Sequence, residues 1–278
     1  MEATNLLYRD PVLYDIVQSD STSAGMCQAL IELHQPDART LVDFGCGTGR
    51  DLEVLAKRFE CIGVDLQPGL VDYAHQARPE LDIRTGDMRT ARLGKRMDVV
   101  TCMGNSLAYV HDNNDISQVF ATFAAHAQPK ALLVLCSPIA PITRTEPTTA
   151  TVDTPRGPAT VTIRHTWNLR TQINTMHRHW ALPSGDEARD EIRRRVLFPQ
   201  ELERYAEDAG FEVLDMNDGT GTGFTGPTAY TVARYTRDDR RGWKWHQHQP
   251  PTPDGSSDGN NHGFPRTTTD TSGTKNTR

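Results

Sequence analysis

Three acidic residues and a run of glycines stand at spacings that suit ligand chemistry. In LVDFGCGTGR, Asp43 lies two places before Gly45, with Gly47 and Gly49 following and a helical pattern beginning straight after. Glycines at such a strand-to-helix turn let the backbone pass close under a ligand and present amide N–H groups to it. The pattern is GxGxG, not the GxGxxG of dinucleotide sites, and a carboxylate at Asp43 would repel a pyrophosphate but suit the ammonium of an amino-acid-like ligand. Asp65, in GVDLQP, falls 18 residues after Gly47, where a carboxylate can accept from both hydroxyls of a ribose. Asp87, in GDMR, follows at the end of the next strand-like run. Its acid suits an exocyclic amine of adenine, while Met88 and Leu66 suit the ring faces. Each of these acids alone could be a helix cap. Three at successive strand ends, on the carboxyl side of a parallel sheet, mark where ligands sit in open α/β folds.

The elements that would carry these residues are legible as alternating patterns. Strand-like runs at Thr40–Phe44, Cys61–Asp65, Asp82–Gly86, Asp98–Met103 and Ala131–Cys136 alternate with helical spacing over Arg50–Phe59, Pro68–Arg78 and Asn114–Ala127. The first three strands recur about every 21 residues, and this alternation predicts a parallel sheet with helices on both faces. From Ser137 to Phe198 the chain is rich in Thr, Val and Ile and broken by Pro155, Gly157 and Pro158, which predicts an antiparallel insertion. FPQELERYAEDAG then predicts a helix with Pro199 in its first turn and Gly210 as its stop, and FEVLDM and TAYTVARY read as two closing strands. The expected organisation is a cofactor-binding part with an N-terminal helical lid over 1–136, a substrate-binding insertion over 137–198, the closing helix and strand pair over 199–236, and a disordered tail over 237–278. The tail holds no Ala, Val, Ile, Leu or Met; its WKWHQHQ segment reads as solvated chain, with a docking motif as the alternative.

Composition removes several classes. The chain has 278 residues, 30 Lys and Arg against 36 Asp and Glu, and a net charge of −6, which leaves no electrostatic footprint for general nucleic-acid binding. The longest apolar run, Ala131–Cys136, is far short of a membrane span, and MEATNLLYRDP carries no secretory pattern. Five widely spaced cysteines without a CxxC or His/Cys ligand pair fit a reducing cytoplasm and argue against structural zinc.

LVDFGCGTGR, GVDLQP and GDMR together, in that order and spacing, resemble the class I S-adenosylmethionine-dependent methyltransferases over Tyr14–Tyr235. Val12–Asp15 (VLYD), VTCMGNSLAYV and FPQELERYAEDAGF narrow the likeness to the small-molecule branch that includes nucleotide-aminosugar N,N-dimethyltransferases and glycine N-methyltransferase-like enzymes. The resemblance implies a Rossmann-like doubly wound seven-stranded α/β sheet, with the antiparallel β insertion forming a lid over the active site. It also implies S-adenosyl-L-methionine as cofactor, met by Tyr14, Asp43, Gly45, Cys46, Gly47, Asp65, Leu66, Asp87, Met88, Met103 and Asn105, with Tyr14 closing over it. MGNSLAYV replaces the (N/D)PP(Y/F) element of DNA amino-methyltransferases, there is no Pro-Cys pair for attack on a pyrimidine, and no acidic triplet suggests a metal.

A sulfonium methyl needs mainly a nucleophile held in line in a dry site, plus a base if an ammonium must first lose its proton. Candidate catalytic residues are Tyr14, Tyr109, His111 and His165, with His177 and His179 as further bases. Tyr109, Arg164, His165, Trp167 and His179 are the candidate acceptor contacts. Strand alternation sends His165 and Trp167 to one face and Arg164 to the other, and either face could meet the pocket. Aromatics such as Trp167 and Trp180 would suit an indole; a basic pocket built from Arg164, Arg170 or Arg178 would suit a nucleotide-sugar diphosphate. Arg193–Arg195 reads as a solvated strand edge. The expected function is methyl transfer to an amine of a small metabolite in secondary metabolism, with C-methylation of an indole, O-methylation and a non-catalytic cofactor sensor as alternatives. The partner is then a small molecule, with no nucleic acid and no membrane, and homo-oligomerisation is left open.

Overall fold

Short β-branched runs separated by helices can pair only through crossovers, and that constraint organises the chain. The computed structural model describes residues 5–18, 22–219 and 223–237. Two short N-terminal helices, α1 (Leu6–Arg9) and α2 (Pro11–Val17), precede α3 (Thr22–His34). Then follow β1 (Thr40–Phe44), α4 (Arg50–Leu55), β2 (Glu60–Asp65), α5 (Pro68–Ala77), β3 (Asp82–Thr85) and β4 (Met97–Cys102). A 3-10 turn at Ser106–Tyr109 leads into α6 (Asn113–His126) and β5 (Ala127–Pro138). The strands β6 (Thr148–Thr154), β7 (Gly157–Asn168), β8 (Ile173–Ala181) and β9 (Glu187–Arg195) come next, before α7 (Pro199–Ala209), β10 (Phe211–Asn217) and β11 (Thr228–Tyr235).

The main sheet has seven strands in the order β10-β11-β5-β4-β1-β2-β3, parallel from β5 to β3 and antiparallel at β11 and β10. This is the mixed α/β, Rossmann-like sheet that the alternation predicts. Its central strands are buried on both faces: Leu41, Val42, Val99, Val100 and Leu132–Leu135 are all at 0% exposure. They read as unbroken apolar runs because helices cover each side. One core joins Phe44, Val64, Val100 and Leu133 to Phe120 and Phe123 of α6 and Leu202 of α7; the other joins Leu41, Val99 and Leu132 to Ile31 of α3 and Leu52 of α4. Helix α7 starts at Pro199, the Phe198 N–H donates to Glu201 Oε2 at 3.1 Å, and Gly210 closes it at φ 95°.

The second sheet is a four-stranded antiparallel meander, β6-β7-β8-β9. Its inner face packs Ala159, Val161 and Trp180 against Leu7 and Leu13 of the N-terminal helices, which are thus held between the two sheets. Polar links tie both sides. Toward the insertion, Arg178 Nε donates to Asp190 Oδ1 at 2.7 Å, Arg178 Nη2 to Asn5 Oδ1 at 2.6 Å, and the Leu6 N–H to Asp190 Oδ2 at 2.7 Å. Toward the main sheet, Asp15 of α2 accepts from Thr48 Oγ1 at 2.5 Å, Arg78 Nη2 at 3.0 Å and Arg50 Nη1 at 3.1 Å, while Arg78 Nε also reaches Glu53 at 2.7 Å. The tail from residue 238, with its WKWHQHQ segment, and residues 220–222 of the glycine-rich turn lie outside the described residues.

Breaking a buried ion pair from one side strands the other charge. Arg78→Met, at a residue 6% exposed, is therefore expected to lower the unfolding free energy by about 3 kcal/mol in a denaturant titration, and the Asp15→Asn/Arg78→Met double variant to recover part of that loss.

Candidate active site

The strand-to-helix turn after β1 is shaped by what its glycines make room for. Gly45 and Gly47 have φ of 81° and 57°, a region that L side chains avoid. A Cβ at Gly45 would come within 2.4 Å of Ser106 Cβ, and one at Gly47 within 2.7 Å of the Tyr14 hydroxyl. The turn is held by Asp65 at the end of β2: the Gly47 N–H donates to its Oδ2 at 2.7 Å, and the Gln67 N–H to its Oδ1 at 2.8 Å. Both oxygens are thereby oriented, and each keeps acceptor capacity for a further hydroxyl. Asp43, 2% exposed, accepts from Thr101 Oγ1 at 2.7 Å. Burial pushes its pKa up to about 7, against the Thr101 bond and the Met103 amide, with Asp51 and Asp65 adding to the rise.

Two cavities meet at this turn. One, of about 250 Å³, runs from Asp43, Cys46, Thr48, Arg50 and Met103 to Met176, Arg178, Ile192 and Arg194 on the inner face of the insertion. The other, of about 390 Å³, is lined by Asp65, Leu66, Asp87, Met88, Arg89 and His111. Gly45, Ser106, Tyr8 and Tyr109 line both. The Tyr8 ring lies 6.0 Å from Tyr14 and 5.9 Å from Tyr109, so three phenols gather at the junction. Burial raises the Tyr8 and Tyr14 hydroxyls well above the usual phenol range, which keeps them neutral donors near pH 7.

Of the residues singled out by sequence, Tyr14, Asp43, Gly45, Cys46 and Met103 line the first cavity, Asp65, Leu66, Asp87, Met88 and His111 the second, and Tyr109 both. Gly47 stands between them through its bond to Asp65. Asp87 faces the second cavity, but Arg89 Nη2 and Nε hold its carboxylate at 2.6 and 3.0 Å and keep its pKa below the usual range. His111 Nε2 lies 3.0 Å from the Arg193 carbonyl. A carbonyl can only accept, so Nε2 carries the proton and Nδ1 the lone pair; burial lowers the ring's pKa, leaving it neutral near pH 7.

Other expected contacts lie elsewhere. Asn105, at φ 64° ahead of the 3-10 turn, lines a separate chamber of about 40 Å³, together with His165, whose Nδ1 is 3.0 Å from Asn174 Oδ1. Arg164, His177 and His179 occupy the outer face of the second sheet, with His179 on Glu187 at 3.0 Å. Trp167 is half-buried near the end of β7 and lines neither cavity at the glycine turn, Trp180 is buried in the packing against α1 and α2, and Arg170 is an exposed turn residue. Arg178 does line the first cavity but is neutralised by Asp190. The reading of Arg193–Arg195 as a solvated edge needs correction: β9 is an edge strand and Arg193 is exposed, but Arg194 turns into the first cavity and Arg195 is buried against Glu201. Alternation fixes which residues share a face; only packing decides which face is inner. Sequence reasoning also missed Tyr8, Ser106, Thr101 and the Asp15 clasp. A polar threonine inside the apolar run VVTC, and an acid within an otherwise apolar VLYD, were the available signals.

Among the described residues no group of His, Cys, Asp and Glu could hold a metal ion, all five cysteines are unpaired thiols, and no helix is long and apolar enough to cross a membrane. Residues 41–130 match the family described as a methyltransferase domain. The dTDP-3-amino-3,6-dideoxy-alpha-D-glucopyranose N,N-dimethyltransferase of Streptomyces fradiae is 30% identical over 226 residues, covering 77% of this chain and 89% of that protein. The dTDP-3-amino-3,4,6-trideoxy-alpha-D-glucopyranose N,N-dimethyltransferase of Streptomyces venezuelae is 32% identical over 107 residues, 38% of this chain and 45% of its own length. Among solved structures, an amino pentose methyltransferase from Micromonospora echinaspora involved in calicheamicin biosynthesis, with S-adenosylmethionine bound, aligns with TM-score 0.71 at 25% identity, covering 85% of this chain and 99% of that one.

The donor set fits such a sulfonium nucleoside. A buried acid faces each end, a side-chain-free turn lies between, and adding a Cβ would fill it. Two outcomes follow for calorimetric titration with S-adenosylhomocysteine. Gly47→Ala, which drives a methyl into the Tyr14 hydroxyl at an unfavourable φ, is expected to weaken binding at least about 100-fold while the protein stays folded. In the unaltered protein, affinity is expected to fall as pH drops through about 7, because Asp43 then gains a proton and no longer attracts the ligand's ammonium.

Proposed function

The chain belongs to the S-adenosylmethionine-dependent methyltransferases, and we propose that it methylates the amine of a nucleotide-linked aminosugar by in-line transfer to nitrogen. The observation that carries this reading is the cavity that joins the glycine turn to the inner face of the insertion. The acceptors named for the Streptomyces fradiae and Streptomyces venezuelae relatives support it. The insertion contributes Met176, Arg178, Ile192 and Arg194 to that cavity and neither of its tryptophans, which favours a polar acceptor over an indole. Unpaired thiols are in keeping with a reducing, cytoplasmic setting.

The bound cofactor supplies a methyl group already activated by its sulfonium. The protein contributes grip, alignment and proton handling. Asp65 takes the ribose hydroxyls on lone pairs left free by its two amide bonds. Asp43 would meet the ammonium, and Arg50, on the first turn of α4 and lining the same cavity, would meet the carboxylate. Tyr8, Tyr14 and Tyr109 wall the junction, exclude water and present their hydroxyls to the approaching amine. An amine arriving as an ammonium has no free pair, so one N–H bond must break first. His111 Nδ1, in the second cavity and next to the junction through Tyr109, which lines both, would take that proton while the electron pair stays on nitrogen. The ring is suited to this because its other nitrogen is committed to the Arg193 carbonyl and burial keeps it neutral.

Incubation with a nucleotide-linked aminosugar and methyl-labelled cofactor is expected to place label on nitrogen, as located by NMR; label on carbon or oxygen, or none, would refute the proposal. At saturating cofactor and acceptor, His111→Gln is expected to lower kcat about 100-fold or more. The unaltered enzyme should hold its kcat as pH falls to below the ordinary histidine value of about 6.5, since only there does His111 become protonated.

A further inference from the structure

The insertion brings into the cleft a cation that nothing in the described protein neutralises. Three arginines line the cavity at the glycine turn: Arg50, Arg178 and Arg194. Arg50 bonds Asp15, and Arg178 is paired with Asp190 and bonded to Asn5. Arg194 has no carboxylate within ion-pair distance among the described residues, and its Nε is buried without a hydrogen-bond partner. Its next neighbour Arg195, also turned away from water, reaches Glu201 at 3.4 Å. The guanidinium of Arg194 lies over the ring of Tyr109, a residue of the junction, 5.8 Å from its centroid. It also borders the chamber of about 40 Å³, where Asn105 Oδ1 is a second buried atom without a partner.

A half-buried guanidinium without a counter-ion gives up hydration with no return inside the protein. The missing partner is then supplied by what binds. The donors of the cation are a planar fork suited to phosphate oxygens. The cofactor's own carboxylate is the competing anion, and Arg50, on the helix that the glycine turn opens, is the cation placed at that turn to meet it.

We propose that Arg194 is the anion-reading residue of the acceptor site: it takes a phosphate oxygen of the acceptor's diphosphate and so selects charged, nucleotide-linked amines over neutral glycosides. This rests on the acceptor class proposed above, and the sugar then lies between the anion at Arg194 and the reacting amine at Tyr109. Arg194 is a specificity residue and takes no part in moving the proton.

The test uses the full chain loaded with S-adenosylhomocysteine and thymidine diphosphate as probe. Calorimetry is expected to show Arg194→Gln weakening thymidine diphosphate about 10- to 100-fold, with Arg194→Lys recovering part of the loss. The ratio of kcat/KM between the nucleotide-linked aminosugar and its neutral methyl glycoside should fall by a similar factor, with the Kd for S-adenosylhomocysteine changing less than about threefold. Unchanged thymidine diphosphate affinity, equal losses on charged and neutral acceptors, or a lost affinity for S-adenosylhomocysteine would each overturn the assignment. Protein that binds the diphosphate through Arg194 yet methylates no amine would uphold the anion site and refute the amine reading alone.

Discussion

The Gly47 amide bonded to the Asp65 carboxylate is the contact on which the site turns. It crosses from the loop after β1 to the end of β2, and it can form only because the parallel register brings Asp43 beside Gly63 and Phe44 beside Val64. A side chain on either glycine would force the loop off Ser106 or Tyr14, and the carboxylate would lose the amide that orients it. Helix α4 starts from this turn, with Gly49 at φ 81° as its entry residue. Backbone geometry, acid and helix are thus one unit.

That unit is electrostatically prepared for a cation. Asp43 and Asp65 are both buried, desolvation lifts both pKa values, and the nearby Asp65 charge adds to the rise at Asp43. Burial raises the Tyr8 and Tyr14 hydroxyls in the same way. A positively charged ligand offsets the desolvation that the empty protein bears, so burial that would be wasteful in a structural core becomes the source of affinity. Arg194 brings the opposite charge into the same cavity from the insertion, and Tyr8 and Tyr109 line both that cavity and its neighbour.

The N-terminal helices keep these halves in register. Asn5 and the Leu6 amide bind the Arg178–Asp190 pair of the insertion, while Asp15, ten residues on, binds Thr48, Arg50 and Arg78 around the glycine turn. Tyr8 and Tyr14 lie between these two anchors. The lid is positioned by ionic contacts on both flanks and by apolar packing of Leu7 and Leu13 beneath the second sheet. A shift of either sheet would therefore be felt at the junction where the cavities meet.

Local chemistry made much of this readable before any fold was known. β-Branched runs, glycine spacing and acids at strand ends depend on neighbours within a few residues, and Asp43, Asp65, Pro199 and Gly210 carry their meaning in their own segments. Asp87 is read on the same basis; it lines the second cavity, with its carboxylate also bonded by Arg89 two residues on. Long-range packing was not readable. Alternation along β7 assigns Arg164 and His165 to opposite faces, yet which face lies against α1 and α2 is decided by contacts between residues far apart in the chain. Asn105 stands beside the expected loop but turns into its own chamber because the backbone there is left-handed. The sequence by itself determined the sheet, the turn and the acids that stand around it, since periodicity and backbone sterics act locally. Tertiary structure alone decided which cations, histidines and tyrosines share that cleft, because a strand's two faces are equivalent until something packs on one of them.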